Sequence, residues 1–247
     1  GTNGVNAHAA FHGEAATGPL LVGPPRTLAR LGRADVSAIT GIDAGCLVAC
    51  TDGTLARVGE GGVTARDRTS SRCVALVCTP SHVVALSAGS GHSVQGVSLH
   101  APATLALLAQ DATRSPLVAL RLGDPHVLIS VDDGGHPTDR CTWRYEWRPP
   151  APVGPPEAIA QGNDVPDGPW TWTGPTWFRH DRPTTMLGAY LVEASDGRLR
   201  AHDTSKRCLL VLPLADVSAL GVSPDGGTLY AGTTSGEVLA MTVTRGS

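Results

Sequence analysis

Aromatic side chains are scarce in this chain and are concentrated in one region. Seven of the ten aromatic residues, including all five tryptophans, fall between positions 143 and 178. In the run from Cys141 to Trp147 the aromatic residues alternate with polar ones, so an extended strand would place them on one face. Trp and Tyr are over-represented at the centres of protein interfaces. The sequence therefore predicts a protein-binding surface made by Trp143, Tyr145, Trp147, Trp170, Trp172 and Trp177.

The same residues have a structural alternative. Large rings can fill the space between two packed sheets where smaller neighbours leave room. Alanine at Trp170 and Trp172 separates the two possibilities, since a stable fold with lost binding indicates a surface and a collapsed fold indicates a core.

Histidine offers the other candidate chemistry. Four histidines near predicted turns could converge on one face, where one could act as a general base; they are His126, His136, His180 and His202. No nucleophile elbow, phosphate-binding glycine motif or zinc-type Cys/His spacing accompanies them. His8 and His12 lack a neighbouring carboxylate or thiol, and aspartates beside glycine are explained by hydrogen bonds within turns. The sequence thus predicts no enzyme activity, no metal and no cofactor.

Composition favours a β-rich, turn-rich protein. Of 247 residues, 30 are Gly and 19 are Pro, and both disfavour helix interiors. The formal charge is −3 and no long basic run occurs, so nucleic acid is not expected as the main partner. No apolar stretch is long enough to insert in a membrane. Composition gives no indication of an oligomeric state.

The ends and the cysteines bear on the cellular compartment. The chain has no initiator Met and no signal-peptide pattern, and we expect it to be part of a larger protein. Most of the six cysteines lie within short apolar runs, which predicts small buried free thiols. Free thiols favour a reducing compartment, so an intracellular location, cytoplasmic or nuclear, is expected.

A pattern of short strands repeats along the chain. Val36, Val74, Val118 and Val217 each begin an apolar run that is followed by a turn, a second run, a Gly-bearing turn and a third run. The first two intervals are 38 and 44 residues, and the last, 99, leaves room for one further unit. An apolar stretch before each unit supplies a fourth strand; these stretches are 27–31, 63–66, 104–109, 157–161 and 208–212. The pattern predicts five four-stranded units, because Asp-Gly between apolar runs indicates hairpins.

Two segments are harder to assign. The further unit has predicted second and third strands at Thr185–Ala194 and Arg198–Asp203, and its first strand is expected around Thr171–Phe178. At Thr104–Asp111 a helix is an alternative to a strand, because periodicity cannot assign so short an apolar run.

The last two units resemble WD40-type β-propeller blades. Ser223-Pro224-Asp225-Gly226 stands where that family turns from its first to its second strand, and Ser235-Gly236 stands at the next turn. His202-Asp203 occupies the position of the Trp-Asp pair, which no unit of this chain carries. The resemblance implies an all-β propeller of four-stranded antiparallel blades, about five of them.

Ring closure follows from the strand count. The last unit ends after three strands, so the N-terminal run Thr27–Leu31 is expected to become its outermost strand. Residues 1–26 are then a poorly patterned lead-in, with a strand possible within Gly18–Pro24, and residues 27–247 form the propeller. A β-sandwich of hairpins is an alternative fold, and residues outside this chain or a partner chain are an alternative means of completing the ring.

The function expected of such a domain is a non-catalytic scaffold that binds other proteins or peptides. The alternative is a propeller enzyme, or a small-ligand-binding protein, that uses His and Asp from loops around a central channel.

Overall fold

The computed structural model describes residues 20–69, 72–88, 94–112, 117–122, 127–132, 141–148, 151–152, 157–161, 172–173 and 182–245. These residues form strands and turns, and none of them is helical. Accordingly, this part of the chain contains no helix that is long and apolar enough to span a membrane.

The described residues form twenty-three strands. In chain order they are β1 (Leu20–Val22), β2 (Arg26–Arg30), β3 (Val36–Ile42), β4 (Gly45–Cys50), β5 (Thr54–Gly59), β6 (Gly62–Arg68), β7 (Cys73–Cys78), β8 (Val83–Ala88), β9 (Val94–His100), β10 (Leu107–Ala112), β11 (Leu117–Leu122), β12 (Val127–Asp132), β13 (Cys141–Arg148), β14 (Ala151–Pro152), β15 (Glu157–Gln161), β16 (Trp172–Thr173), β17 (Thr184–Leu187), β18 (Tyr190–Ser195), β19 (Arg198–His202), β20 (Cys208–Pro213), β21 (Val217–Val222), β22 (Thr228–Thr233) and β23 (Glu237–Arg245).

The strands assemble into five antiparallel sheets in the described residues. Three sheets consist of four consecutive strands: β3 to β6, β7 to β10, and β17 to β20. A fourth has the order β14-β13-β12-β11-β16, with β15 also paired to β13. The fifth contains β21, β22 and β23 and is completed by β1 and β2, which both pair with β23. These sheets are the blades of a β-propeller. The predicted fold class is confirmed, and the β-sandwich alternative is wrong because the strands form separate small sheets.

The chain divides into two compact units, Gly1–Leu76 with Arg179–Ser247, and Val77–Phe178. The boundary at 76/77 falls within β7. The first unit contains the sheets β3–β6, β17–β20 and β21–β23, and the second contains the strands from β8 to β16.

The core of the first unit lies between its sheets. Because side chains alternate along a strand, the last sheet has two apolar faces. One face packs against the sheet β17–β20 through Leu229, Ala231, Leu239 and Met241. The other packs against the sheet β3–β6 through Ala219, Tyr230, Val238 and Ala240. A single sheet cannot bury both faces alone, so each sheet depends on its neighbours.

The outermost strand of the last sheet comes from the other end of the sequence. Strand β2 pairs with the first part of β23, with Arg26 opposite Ala240 and Arg30 opposite Glu237. Strand β1 pairs with the last part of β23, with Leu20 opposite Arg245. The predicted closing strand at 27–31 is confirmed as β2. The strand considered within Gly18–Pro24 is present as β1.

One repeated hydrogen bond shows that β2 occupies the same place as the fourth strand of the other sheets. In the sheet β3–β6, the carbonyl of Gly53 accepts from Thr69 N, just beyond β6. In the sheet β17–β20, the carbonyl of Gly197 accepts from Leu214 N, just beyond β20. In the last sheet, the carbonyl of Gly236 accepts from Leu31 N, just beyond β2. At this hydrogen bond, the N-terminal strand therefore takes the place of a fourth strand.

Two predictions for the sheet β17–β20 are wrong. The run Thr185–Ala194 is two strands, β17 and β18, because Gly188 turns the chain back with a φ of 60°. The first strand is therefore β17 and does not lie around Thr171–Phe178. Of that segment, only Trp172 and Thr173 are described, and they pair with β11 of the second unit.

The remaining strand predictions agree with the structure. The fourth strands expected at 63–66, 157–161 and 208–212 correspond to β6, β15 and β20, and the one expected at 104–109 overlaps β10, which begins later, at Leu107. The helix considered for Thr104–Asp111 is absent, because residues 107–112 pair with β9 as β10.

Candidate functional site

The candidate aromatic residues belong to the sheet that contains β11 to β16. Trp143, Tyr145 and Trp147 lie on β13, and Trp172 lies on β16. The other two candidates, Trp170 and Trp177, lie outside the described residues.

Backbone pairing places Trp143 and Trp172 in one row across this sheet. Trp143 is opposite Ser130, and Ser130 is opposite Leu120. Leu120 is in turn opposite Trp172. Residues directly opposite one another in an antiparallel sheet share a face. Two tryptophans 29 residues apart in sequence therefore share a face, separated by three strand spacings, or about 14 Å.

The row extends along β13. The pairing of β13 with β12 is regular from Cys141 to Glu146, so Tyr145 occupies the same face as Trp143. Trp147 is the next alternate position and is opposite Pro152 of β14. Backbone register thus assigns four of the six predicted residues to one face of one sheet.

A second candidate group lies on β18 and β19 in the first unit. His202 Nε2 is 3.3 Å from Glu193 Oε1, and both side chains are about three-quarters buried. A carboxylate only accepts, so Nε2 carries the proton and a neutral ring has its lone pair on Nδ1. On the same face, Arg200 Nη1 donates to Ser195 Oγ at 2.6 Å.

The sequence predicted a role for His202 but did not identify Glu193 as its partner. Asp196 and Gly197 form a two-residue turn that places Ser195 opposite Arg198. Counting outward from that turn places Glu193 opposite Arg200 and Leu191 opposite His202. The register of this hairpin could therefore have predicted from the sequence that Glu193 lies near His202. The other predicted histidines, His126, His136 and His180, lie outside the described residues, as do His8 and His12.

Two turn aspartates among the described residues accept hydrogen bonds from groups of their own turns. Asp225 Oδ1 accepts from Ser223 Oγ at 2.5 Å and from Gly227 N at 2.9 Å, and these bonds lower the pKa of Asp225. Asp52 accepts from Thr54 N at 2.9 Å, which lowers the pKa of Asp52. Within the described ranges, no three His, Cys, Asp or Glu side chains are grouped so that they could hold a metal ion.

The cysteines whose side chains are described are of two kinds. Cys46 and Cys50 are buried free thiols, as predicted, and Cys73 is also buried. Burial raises the pKa of Cys46 and of Cys50 to about 12, which makes both poor nucleophiles. Cys78 and Cys208 are exposed, which corrects the prediction. Cys208 is exposed because it begins β20, the outermost strand of its sheet.

No protein-family model matches this chain. No curated protein matches it either.

Solved structures give several matches of low identity. BamB from Moraxella catarrhalis is 13% identical over 93% of this chain and 91% of that chain, with a TM-score of 0.44. Glutaminyl cyclase from Myxococcus xanthus is 10% identical over 95% of this chain and 100% of that chain, with a TM-score of 0.48. The computationally designed protein Ika8 is 14% identical over 84% and 70%, with a TM-score of 0.34. All three TM-scores lie below 0.5, so these likenesses add nothing to what strand order and register already establish.

Proposed function

We propose that this propeller is a non-catalytic scaffold domain that binds other proteins or peptides within a larger intracellular protein or complex, cytoplasmic or nuclear. The observation that carries the proposal is the shared row of Trp143 and Trp172. Trp combines a large apolar area with one hydrogen-bond donor and is enriched among residues that dominate binding energy. The intracellular placement rests on the free thiols of Cys46, Cys50 and Cys208.

The proposed surface has a definite size. Trp143 and Trp172 are about 14 Å apart across the strands, and Trp143 and Trp147 are about 14 Å apart along β13. A patch of this extent accommodates several side chains of one partner segment. Trp170 and Trp177 are the remaining candidates of the same surface.

Trp143→Ala and Trp172→Ala test the proposal. A binding surface predicts that each variant keeps its melting temperature within a few degrees while affinity for a partner falls at least about tenfold. The partner is first captured by crosslinking to the wild-type chain, identified by mass spectrometry and purified for measurement of its Kd. Val211→Ala is the matched control, because Val211 is an apolar residue of the first unit that is 50% exposed. A large loss of stability with unchanged affinity would instead assign the rings to a core.

A second candidate function is an enzyme or small-ligand-binding propeller. The observation that favours it is the Glu193–His202 pair, because a carboxylate that fixes an imidazole tautomer is a common arrangement for general-base chemistry. A ligand that shifts the NMR resonances of His202, with loss of the effect in Glu193→Gln, would support this function over the scaffold.

Within propellers, we propose that the repeats are degenerate WD40 repeats. The turn at Ser223–Gly227, held by the Asp225 carboxylate, supports this assignment. An alignment of relatives in which Trp-Asp stands at the positions of His202-Asp203 would test it.

A further inference from the structure

Cationic side chains are grouped on one face of the sheet β17–β20. We propose that this face is a second docking surface, which binds an extended acidic segment of a partner protein through Arg182, Arg198 and Arg200. The inference goes beyond the aromatic surface proposed above, which lies on a different sheet, so each can fail without the other.

The hairpin of β18 and β19 places two of the arginines side by side. Arg198 and Arg200 are alternate residues of β19, so they share a face and lie about 7 Å apart along the strand. Arg198 is opposite Ser195, and Arg200 is opposite Glu193. This face is therefore the polar face of the sheet.

The third arginine precedes β17. Ala194 N donates to Pro183 O at 2.9 Å, so the next pair outward along these two strands is Arg182 with Ser195. Residues directly opposite one another share a face, so Arg182 and Arg198 flank Ser195. They are two strand spacings apart, or about 10 Å.

The apolar face of the sheet points the other way. Val192, Ala194, Leu199 and Ala201 lie on it and form the buried core with the last sheet. The sheet is thus fixed from behind by packing, and its polar face carries side chains that this core does not use.

Positive charge on this face is available to a ligand. Arg182 and Arg198 are exposed, and neither forms a hydrogen bond or an ion pair with a described residue. Five cationic residues and three carboxylates lie between positions 182 and 214, whereas the whole chain has a formal charge of −3. The charge of this sheet is therefore opposite in sign to that of the chain.

The third guanidinium is held in place rather than neutralised. Arg200 Nη1 donates to Ser195 Oγ at 2.6 Å, while Asp196 Oδ2 is 4.0 Å away. Glu193, the carboxylate on this face, is bound to His202 at 3.3 Å. Arg200 is thus positioned by a neutral hydroxyl, and its remaining donors can bind another carboxylate.

The spacing of the arginines favours an extended acidic segment. Guanidinium groups bind carboxylates through two parallel hydrogen bonds. Alternate side chains of an extended chain are about 7 Å apart, which matches the spacing of Arg198 and Arg200. A nucleic acid fits less well, because Glu193 and the exposed Asp196 repel its closely spaced phosphates.

A peptide of defined sequence tests the proposal. The full 247-residue protein is titrated into a fluorescein-labelled octapeptide of alternating Glu and Ser, and fluorescence anisotropy gives the Kd in low and in physiological salt. We expect binding that weakens as salt is added. Arg182→Glu and Arg198→Glu should each raise the Kd by about fivefold or more.

Arg33→Glu is the matched control. Arg33 is an exposed arginine between β2 and β3, and its substitution changes the net charge by the same amount. We expect the Kd of this variant to stay within about twofold of the wild type, because surface charges act mainly on their own neighbourhood in salt.

An exchange of charge makes the test specific. The double variant with Arg182→Glu and Arg198→Glu should bind an octapeptide of alternating Lys and Ser at least about fivefold more tightly than the wild type does. Circular dichroism checks that every variant is folded. The proposal is overturned if the wild type does not bind the Glu-Ser peptide, if Arg33→Glu loses as much affinity, or if a short DNA duplex binds as tightly. Unfolding of both single variants would also overturn it, since the arginines would then serve packing.

Discussion

Two glycines allow the backbones of neighbouring sheets to meet. A Cβ at Gly41 of β3 would overlap the carbonyl oxygen of Val222 and lie 2.5 Å from Ser223 Cα. A Cβ at Gly221 of β21 would lie 2.8 Å from the carbonyl oxygen of Ile39. The two strands therefore pack at a distance that no other residue type permits.

Gly41→Ala is accordingly expected to destabilise the protein by about 2 kcal/mol or more, because backbone must move to admit the methyl group. Gly61→Ala is the matched control: its Cβ would meet nothing within 4 Å, so a change within about 0.5 kcal/mol is expected. Urea unfolding measures both. Equal effects of the two substitutions would show that the sheets do not approach so closely.

The buried thiols of β4 predict a loss of stability in alkali. Burial raises the pKa of Cys46 and Cys50 to about 12, from an ordinary value of 9.0. The unfolded chain loses these protons from about pH 9, while the folded protein keeps them to about pH 12. The contribution of these thiols to the free energy of unfolding is therefore fully present below pH 9. Above pH 9 it falls by about 1.4 kcal/mol per pH unit for each thiol.

Urea unfolding at several pH values between 8 and 11 tests this prediction. The readout is the slope of stability against pH, which Cys46→Ala with Cys50→Ala should reduce, whatever the change in stability at pH 8. Other ionising groups contribute equally to both proteins. The prediction fails if the double variant has the slope of the wild type.

At the scale of elements, the N-terminal strand determines whether the last sheet is complete. Removing residues 1–34 deletes β1 and β2, uncovers the edge of β23 and removes Leu20 and Leu31, which are only 3% and 8% exposed. We expect a loss of more than about 3 kcal/mol. Removing residues 1–19 is the control, since it keeps both strands. An unchanged melting temperature after the longer deletion would contradict the closing role of β2.

The sequence allowed β2 to be predicted because one element was missing elsewhere. Three strands after Asp216 left a four-stranded unit incomplete, and only the run at 27–31 remained unassigned. By contrast, Gly188 lies in a run of apolar residues where a turn has no other marker, so β17 and β18 were merged. The row through Trp143 and Trp172 depends on pairing between strands and on register, which local patterns do not contain.

At the scale of the molecule, the sheet in which the chain is interrupted between the third and fourth strands should be interchangeable. In the last sheet, the third strand, β23, and the strands that complete the sheet, β1 and β2, come from distant parts of the sequence, with Leu20 opposite Arg245. Joining residue 245 to residue 20 by a short flexible linker and opening the chain between Glu60 and Gly61 creates the same break in the sheet β3–β6.

This permuted protein is expected to unfold cooperatively with a loss of less than about 2 kcal/mol, because the new ends lie in an exposed turn. A permutant opened between Val48 and Ala49, within the buried strand β4, is the control and should not fold. Circular dichroism and urea unfolding measure both. Failure of the first permutant to fold would mean that the order in which the sheets form matters more than their final pairing.

The pairing of β2 with β23 also constrains synthesis. More than two hundred residues separate Arg26 from its partner Ala240, so β2 leaves the ribosome long before β23 exists. Until then β2 is an unpaired edge that other nascent chains can join. Arg26 and Arg30, both exposed, oppose such association by their charge. Translation of β23 is thus the step that ends this risk of association. A ribosome that stalls before β23 would leave a nascent chain in which β2 is unpaired.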